Sequence, residues 1–97
     1  MTPPAFTVRN NETAGRFEAD LDGEVAFAEY RVLEGGDVLF PHTVVPDAFE
    51  GRGVGSALVR AALDWARGRG ARVIPACSFF AGYIDRHPEY ADLVRQR

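Results

Sequence analysis

The segment best suited to bind a ligand is a glycine-rich loop that precedes an amphipathic stretch. It reads Glu50-Gly51-Arg52-Gly53-Val54-Gly55-Ser56, with glycine at three alternate positions. Glycine permits positive φ and lets a ligand approach the main chain closely. A helix that starts after such a loop presents N–H groups without intrahelical partners and the positive end of its dipole. The segment therefore predicts a phosphate site with Arg52 as a neighbouring cation. A glycine-rich turn that binds nothing is the alternative.

Two common nucleotide-binding motifs do not fit this loop. The dinucleotide-binding motif G-x-G-x-x-G fails because Ser56 stands where the third glycine belongs, and no acidic residue follows at the required distance. The P-loop fails because all eleven basic residues are arginine, so that no lysine can reach a phosphate. The absence of lysine also excludes Schiff-base catalysis.

Cys77 and His42 are the side chains outside the loop with the clearest catalytic potential. The Cys77 thiol is suited to act as a nucleophile, although a free cysteine more often packs as a small buried hydrophobe. Histidine is the residue type most often used as a general base, so His42 is a candidate base, although such a histidine is more often a structural polar group. The chain has only two histidines and one cysteine, and they lie far apart in sequence, so we expect no metal site.

The strands expected in the N-terminal half follow from apolar/polar alternation between turn residues. They cover residues 6–10, 17–21, 24–33 and 38–45. In the second strand, the odd-numbered residues are predicted to be buried and the even-numbered ones exposed. Asp22-Gly23 predicts a tight hairpin. The fourth strand is mostly apolar and ends before Pro46, which predicts a strand that is buried on both faces. Which face Glu29 occupies stays open.

A helical period begins after the glycine loop and covers residues 54–69. Its buried stripe is predicted from apolar residues at helical spacing: Val54, Leu58, Ala61 and Trp65. Gly68 and Gly70 are expected to end the helix. A strand at 72–76 follows, and then a second helix that begins near Ser78 and ends before His87-Pro88.

The order β-β-β-β-α-β-α predicts an α+β fold, an α/β sandwich with a mixed, mostly antiparallel sheet. A right-handed β-α-β crossover would place the last strand parallel to the fourth.

The 97 residues, 46% of them hydrophobic, predict one domain over 1–97. The net charge of −3 argues against nucleic-acid binding. No apolar stretch approaches the ~20 residues of a membrane span. The single cysteine and the lack of a signal-peptide pattern predict a cytoplasmic protein.

The stretch from His42 to Val59, with Ala71-Arg72-Val73 after it, resembles the acetyl-CoA site of the GNAT superfamily of N-acetyltransferases. The C-terminal pattern is similar to that of the minimal branch of this superfamily, whose members are as short as this chain. It consists of Cys77-Ser78-Phe79, Tyr83-Ile84 and His87-Pro88-Glu89-Tyr90. The resemblance covers about residues 5–95. Glu50 departs from it, because the superfamily usually has arginine or glutamine near this point.

The resemblance implies a GNAT-like fold with acetyl-CoA, or coenzyme A, as the cosubstrate. The two parallel strands would diverge and hold the pantetheine arm between them. The backbone of Val44 and Val45 would bond the pantetheine amides, and the loop amides would hold the diphosphate. The cofactor-binding residues implied in this way are Val44, Val45, Gly51, Arg52, Gly53, Val54, Gly55 and Ser56.

The implied activity is N-acetyl transfer from acetyl-CoA directly to an amine. Tyr83 matches the position of the residue that protonates the departing thiolate, Cys77 would lie beside the thioester, and His42 is the candidate base. Only a turn joins the first two strands, where larger members have helices that cover the acceptor. We therefore expect an acceptor side that is open, or covered by another subunit, and that suits a protein or peptide amine. The expected oligomeric state is a monomer or a weak dimer.

Two other functions stay open on the sequence alone. A CoA-binding sensor or interaction module without catalysis would explain the missing acceptor helices and the lack of an evident base. A small structural domain would result if the glycine loop is only a turn. Acetyl-CoA binding separates the structural domain from the others, and thiol release with amines separates the enzyme from the sensor.

Overall fold

The computed structural model describes residues 6–21, 23–49 and 53–94. The strands and helices follow the predicted order. They are β1 (Val8–Asn11), β2 (Arg16–Leu21), β3 (Glu24–Val32), β4 (Val38–Val44), α1 (Val54–Gly68), β5 (Val73–Ile74) and α2 (Ser78–Arg86). Two 3₁₀ helices, Asp47–Phe49 and Pro88–Leu93, lie before α1 and after α2. Asp22 of the predicted hairpin and residues 50–52 of the glycine loop lie outside the described residues.

The five strands form one mixed sheet in the order β1-β2-β3-β4-β5. The first three pairings are antiparallel, and β5 pairs with β4 in parallel, with Val38 opposite Val73 and Leu39 opposite Ile74. Parallel neighbours require a crossover connection, and α1 provides it. The predicted α+β fold with a mixed, mostly antiparallel sheet is confirmed.

Both helices pack against one face of the sheet. Trp65 of α1 lies edge-on to Phe17 at 5.6 Å between ring centroids, and Phe80 of α2 stacks on Phe40 at 4.3 Å. Between these rings, the sheet presents fully buried alanines: Ala19, Ala26 and Ala28. Burial of the apolar side chains on this face stabilises the fold.

The buried stripe of α1 is displaced from the predicted one. Its fully buried centre consists of Leu58, Val59, Ala62, Leu63 and Ala66, whereas the predicted members Ala61 and Trp65 lie half-buried at the margin. The small alanines of the sheet allow a close approach of the helix, and the bulky indole is accommodated beside the contact, 4.6 Å from the Tyr30 ring. Helical spacing is therefore correct, but the rotation of the helix depends on which side chains face it.

The other face of the sheet is covered by its own charged side chains, and we call it the open face. It contains Arg9, Arg16, Glu18, Asp20, Phe27, Glu29 and His42, which alternate with the buried residues and pair across strands. All ring contacts between helices and strands in the described part of the chain fall on the opposite face.

Glu18 was expected to be exposed, yet only 3% of its surface is accessible. Arg9 and Arg16 lie over it and donate to its two carboxylate oxygens at 2.6 Å and 2.5 Å, and Asn11 adds a third bond at 3.1 Å. These bonds, led by the one from Arg16, hold the pKa of the Glu18 carboxyl below its usual value against the opposing effect of burial. Glu18 therefore lies on the face that the alternation predicted, but Arg9, Asn11 and Arg16 rather than water bind its carboxylate.

Strand β4 differs from the prediction of burial on both faces. Val38 and Phe40 are buried, but Pro41 and His42 are exposed. The register between β3 and β4 shifts here. Glu29 lies opposite His42 and Arg31 lies opposite Leu39, so that two residues of β4, Phe40 and Pro41, lie opposite the single residue Tyr30. Proline has no N–H to donate to a ladder, and a bulge is where a strand tolerates it.

The C-terminal 3₁₀ helix is bound to α1 by polar contacts. The Tyr90 hydroxyl donates to Asp64 at 2.7 Å, and Arg67 bonds both carboxylate oxygens of Asp92 at 3.0 and 3.1 Å. Burial and the Asp64 carboxylate raise the pKa of Tyr90 to about 12. These contacts hold the end of the chain against α1 and α2. Among the described residues, no helix is both long and apolar enough to cross a membrane.

We predict that Glu18→Gln lowers the free energy of unfolding by about 2 kcal/mol at pH 7, because an amide cannot accept from both arginines as the carboxylate does. The depressed pKa gives stability that is present above the unfolded-state pKa, about 4.3, and is lost as pH falls through the folded-state pKa. Urea unfolding from pH 7 to 3 should therefore show a steeper acid loss in the wild type than in the variant. Glu12→Gln, in an exposed turn, should match the wild type; parallel acid profiles for Glu18→Gln would contradict this account.

Candidate functional site

A cleft of about 330 Å³ opens at the start of α1. It is formed by the chain after β4, the first 3₁₀ helix, the first turn of α1 and the start of α2. Its lining residues are Val45, Phe49, Gly53, Val54, Gly55, Ser56 and Phe79. The volume lies at the lower end of the range for small-molecule sites, and an open cleft of this kind can hold part of a longer ligand.

The first turn of α1 has no side-chain cap among the described residues. Gly53 takes the N-cap position with φ of 73° and ψ of 14° and offers no side chain, and no acidic residue lies in the turn. The first intrahelical hydrogen bond runs from the Ala57 N–H to the Gly53 carbonyl. The N–H groups of Val54, Gly55 and Ser56 precede this bond and have no intrahelical acceptor. The helix dipole adds positive potential here. The cleft therefore presents backbone donors suited to an anionic group.

Gly55 has a steric role that its place in the loop does not reveal. A Cβ on Gly55 would lie 2.2 Å from the Phe79 ring, which leans against the first turn of α1 from α2. Phe79 is 39% exposed and contributes an apolar wall to the cleft. We did not predict Phe79 as a site residue, since nothing local distinguishes it from Phe80, which is fully buried in the core.

The edge of β4 that faces β5 is open beyond Phe40. The two strands pair only at Val38 and Leu39, and the Cys77 N–H then donates to the Phe40 carbonyl at 3.0 Å. Among the described residues, no further backbone bond joins Pro41–Val45 to the β5 side. Val44 ends the strand half-buried, and Val45 reaches the cleft. Unpaired strand edges offer N–H and C=O groups to an extended ligand.

Cys77 lies at the base of this opening. It precedes α2, is half-buried, and its thiol donates to the Thr43 hydroxyl at 3.4 Å. Thr43 appeared in the sequence only as part of the motif after His42, and its contact with a residue 34 positions later could not be predicted. None of the ion pairs or hydrogen bonds of the described residues brings a cation to this thiol.

The structure does not bring His42 next to Cys77. His42 is exposed on the open face, with its ring 6.3 Å from that of Phe27. Thr43, its neighbour in the strand, points the other way and contacts Cys77, because successive strand residues alternate between faces. The two candidate groups therefore lie on opposite sides of β4.

Tyr83 lies one helical turn after Phe79 and is 4% exposed. Its ring stacks on His87 at 4.0 Å and lies 6.1 Å from the Tyr90 ring. It is not among the described residues that line the cleft.

His87 ends α2 as expected. Among the described residues, no group of three or more potential ligands could hold a metal ion. Gly51 and Arg52 lie outside the described residues.

Three comparisons relate this chain to known proteins. A model of the GCN5-related N-acetyl-transferase family matches residues 16–93. Protein NATD1 of Xenopus tropicalis is 29% identical over 86 residues, which cover 87% of this chain and 79% of that protein. The solution NMR structure of a GCN5-like protein of Staphylococcus aureus matches the fold with a TM-score of 0.74 at 25% sequence identity. The match covers 98% of this chain and 93% of the Staphylococcus aureus chain. The family match extends from β2 to the second 3₁₀ helix and includes the cleft.

We predict that the effect of Gly55→Ala on stability depends on Phe79. With Phe79 present, the added methyl must displace the ring and lowers the free energy of unfolding by about 1 kcal/mol. In a Phe79→Ala background, the same change raises it by about 0.5 kcal/mol, because alanine favours the helix. Urea unfolding of the four variants measures this coupling.

Gly68→Ala is the matched control, because a Cβ at Gly68 meets nothing within 4 Å. It should have the same effect in both backgrounds. Equal effects of Gly55→Ala in the two backgrounds would show that the contact with Phe79 does not require glycine.

Proposed function

Because this chain belongs to the GCN5-related N-acetyltransferase family, we propose that it transfers an acetyl group from acetyl-CoA to an amine. The family implies an acyl-CoA cosubstrate. The observation that carries the proposal is the cleft, where the uncapped first turn of α1 and the open end of β4 meet. The N–H groups of the first turn of α1 suit the diphosphate of the cosubstrate. The open edge of β4 suits its pantetheine arm, which is extended and contains amides.

The proposed binding mode uses backbone groups almost entirely. The N–H groups of Gly53, Val54, Gly55 and Ser56 bind the diphosphate, with Gly51 and Arg52 beside them. The main chain of Val44 and Val45 bonds the pantetheine amides as a short strand would. Phe79 packs against the methylene groups of the arm. The support for this mode is the lack of a cap on α1 and the unpaired edge of β4.

The proposed reaction is a direct acyl transfer. The neutral amine nitrogen attacks the thioester carbonyl carbon, a C–N bond forms, and the C–S bond breaks to release the CoA thiolate. The amine loses a proton to His42, and the thiolate takes one from the Tyr83 hydroxyl. His42 is exposed and can exchange this proton with water. The role of Tyr83 is proposed from the resemblance to the family, since its buried ring lies outside the described lining of the cleft.

Cys77 lines the proposed site without forming an acyl-enzyme. A nucleophilic cysteine requires its thiolate, which a neighbouring cation, a paired histidine or a metal stabilises. The recorded partner of the Cys77 thiol is the neutral Thr43 hydroxyl, and His42 lies on the other side of β4. These contacts favour a thiol that packs beside the thioester.

A CoA-binding module without catalysis is the second candidate function. It is favoured by one observation: the three candidate catalytic groups, His42, Cys77 and Tyr83, make no contact with one another in the described structure. This module would bind acetyl-CoA in the same cleft but release no thiol with any amine.

We predict that Ser56→Asp lowers the affinity for acetyl-CoA by at least about tenfold, because its carboxylate would repel the diphosphate at the first turn of α1. Ser56 is exposed, and an acidic residue in the first turn stabilises a helix by about 0.5 kcal/mol, so the fold is retained. Isothermal titration calorimetry measures the affinity, and urea unfolding checks the fold. The neutral Ser56→Asn should bind as the wild type does. An unchanged affinity in Ser56→Asp, or a wild type that shows no heat, would exclude the proposed site.

We predict that Cys77→Ala retains most of the turnover and of the acetyl-CoA affinity. Free thiol release from acetyl-CoA, measured with a panel of primary amines, gives the rate. Cys77→Ser serves as the control that keeps a polar partner for Thr43. Loss of turnover with intact acetyl-CoA binding would show that the thiol takes part in the transfer. A wild type that binds acetyl-CoA and releases no thiol with any amine would favour the non-catalytic module.

A further inference from the structure

Glu29 occupies the centre of the open face, in a row that crosses three strands. Arg16 of β2 lies opposite it on one side and His42 of β4 on the other. Directly opposed residues on one face have their Cβ atoms about 5 Å apart, so the carboxylate and the imidazole are close neighbours. Glu29 is half-buried and His42 is exposed.

The Glu29 carboxylate has no hydrogen bond or ion pair with any residue in 6–21, 23–49 or 53–94. Its cross-strand neighbour Arg16 is held elsewhere, since its Nε donates to Glu18 and its guanidinium lies 4.4 Å over the Phe27 ring. Arg31, two residues along β3 and exposed, forms no ion pair with it either. The Glu29 carboxylate is half-buried, and neither Arg16 nor Arg31 forms an ion pair with it. Such a carboxylate attracts a cation from outside the chain.

The position of Glu29 connects this charge to the proposed reaction. His42 is opposite Glu29, and the next residue, Thr43, bonds the Cys77 thiol at the opening between β4 and β5. The cleft lies on the helix side of the sheet, whereas Glu29 and His42 lie on the open face. A group that approaches across the open face would therefore reach the open edge of β4 from the side opposite the proposed cosubstrate.

We propose that Glu29 binds the ammonium group of the acceptor and that the acceptor is an alkyl amine, protonated in solution, which enters across the open face. This inference rests on the proposed function, because it assigns the acceptor side of the same reaction. Glu29 holds the cation beside His42, which takes one ammonium proton and releases it to water, so that the neutral amine can attack. His42 then receives the second proton, which leaves the nitrogen as the C–N bond forms. Aromatic amines are neutral at pH 7 and gain nothing from this carboxylate.

The test is an NMR titration of the full chain labelled with ¹⁵N, with butylammonium as the probe, in the presence of CoA and again without it. We expect the amide signals of Glu29, His42 and their neighbours to shift in the wild type, and the affinity to fall about tenfold in Glu29→Gln. Butanol, which has the same chain without the charge, should cause no such shifts. Glu34→Gln, in the exposed turn after β3, should respond as the wild type does.

The same spectra separate the two proposals. Signals of residues 53–56 that do not move with CoA would overturn the proposed function. Signals of Glu29 and His42 that do not move with butylammonium, that move equally with butanol, or that move equally in Glu29→Gln, would overturn the role of Glu29. In thiol-release assays, Glu29→Gln should raise the KM for butylamine about tenfold while the KM values for acetyl-CoA and for aniline stay unchanged.

Discussion

The two-residue parallel pairing of β4 and β5 is the constraint on which the rest of the structure depends. Only Val38 and Leu39 pair with β5, and the Cys77 N–H adds the last bond to Phe40. A longer pairing would seal the edge of β4, and no pairing would leave the segment between α1 and α2 without a hydrogen-bonded place in the sheet. The short pairing holds the crossover together and leaves Pro41–Val45 with unpaired groups on that side among the described residues. Such groups need water or a ligand as partner.

The electrostatics of the cleft come from the backbone. The chain carries a net charge of −3, yet the proposed site binds an anion. The start of α1 reconciles the two facts, because its N-cap Gly53 offers no side chain and its first turn contains no acidic residue to neutralise the N–H groups. The buried ring contacts of Phe80 and Trp65 keep both helices on the same face, so that Phe79 reaches the first turn of α1.

The open face solves a different problem. No helix of the described residues covers this side of the sheet, so it must be stable against water, and the arginines achieve this by lying over Glu18 and Phe27. The same contacts turn Arg16 away from Glu29. The charge network therefore protects the sheet and leaves the Glu29 carboxylate, opposite His42, without an ion pair among the described residues. This carboxylate is the basis of the acceptor site that we infer.

The sequence by itself determined the features that depend on residues close together in the chain. The order of the strands and helices follows from local backbone preferences and from the spacing of apolar side chains. The family pattern lies in the same segments. The tertiary structure decided which residues contact one another across the fold, such as Gly55 with Phe79 and Thr43 with Cys77. It placed Glu29 opposite His42 in the sheet. It also rotated the buried stripe of α1, buried Glu18 and exposed His42. These outcomes depend on strand register, on the bulge at Pro41 and on how closely a helix approaches the sheet, and none of these is encoded in the spacing of a single segment.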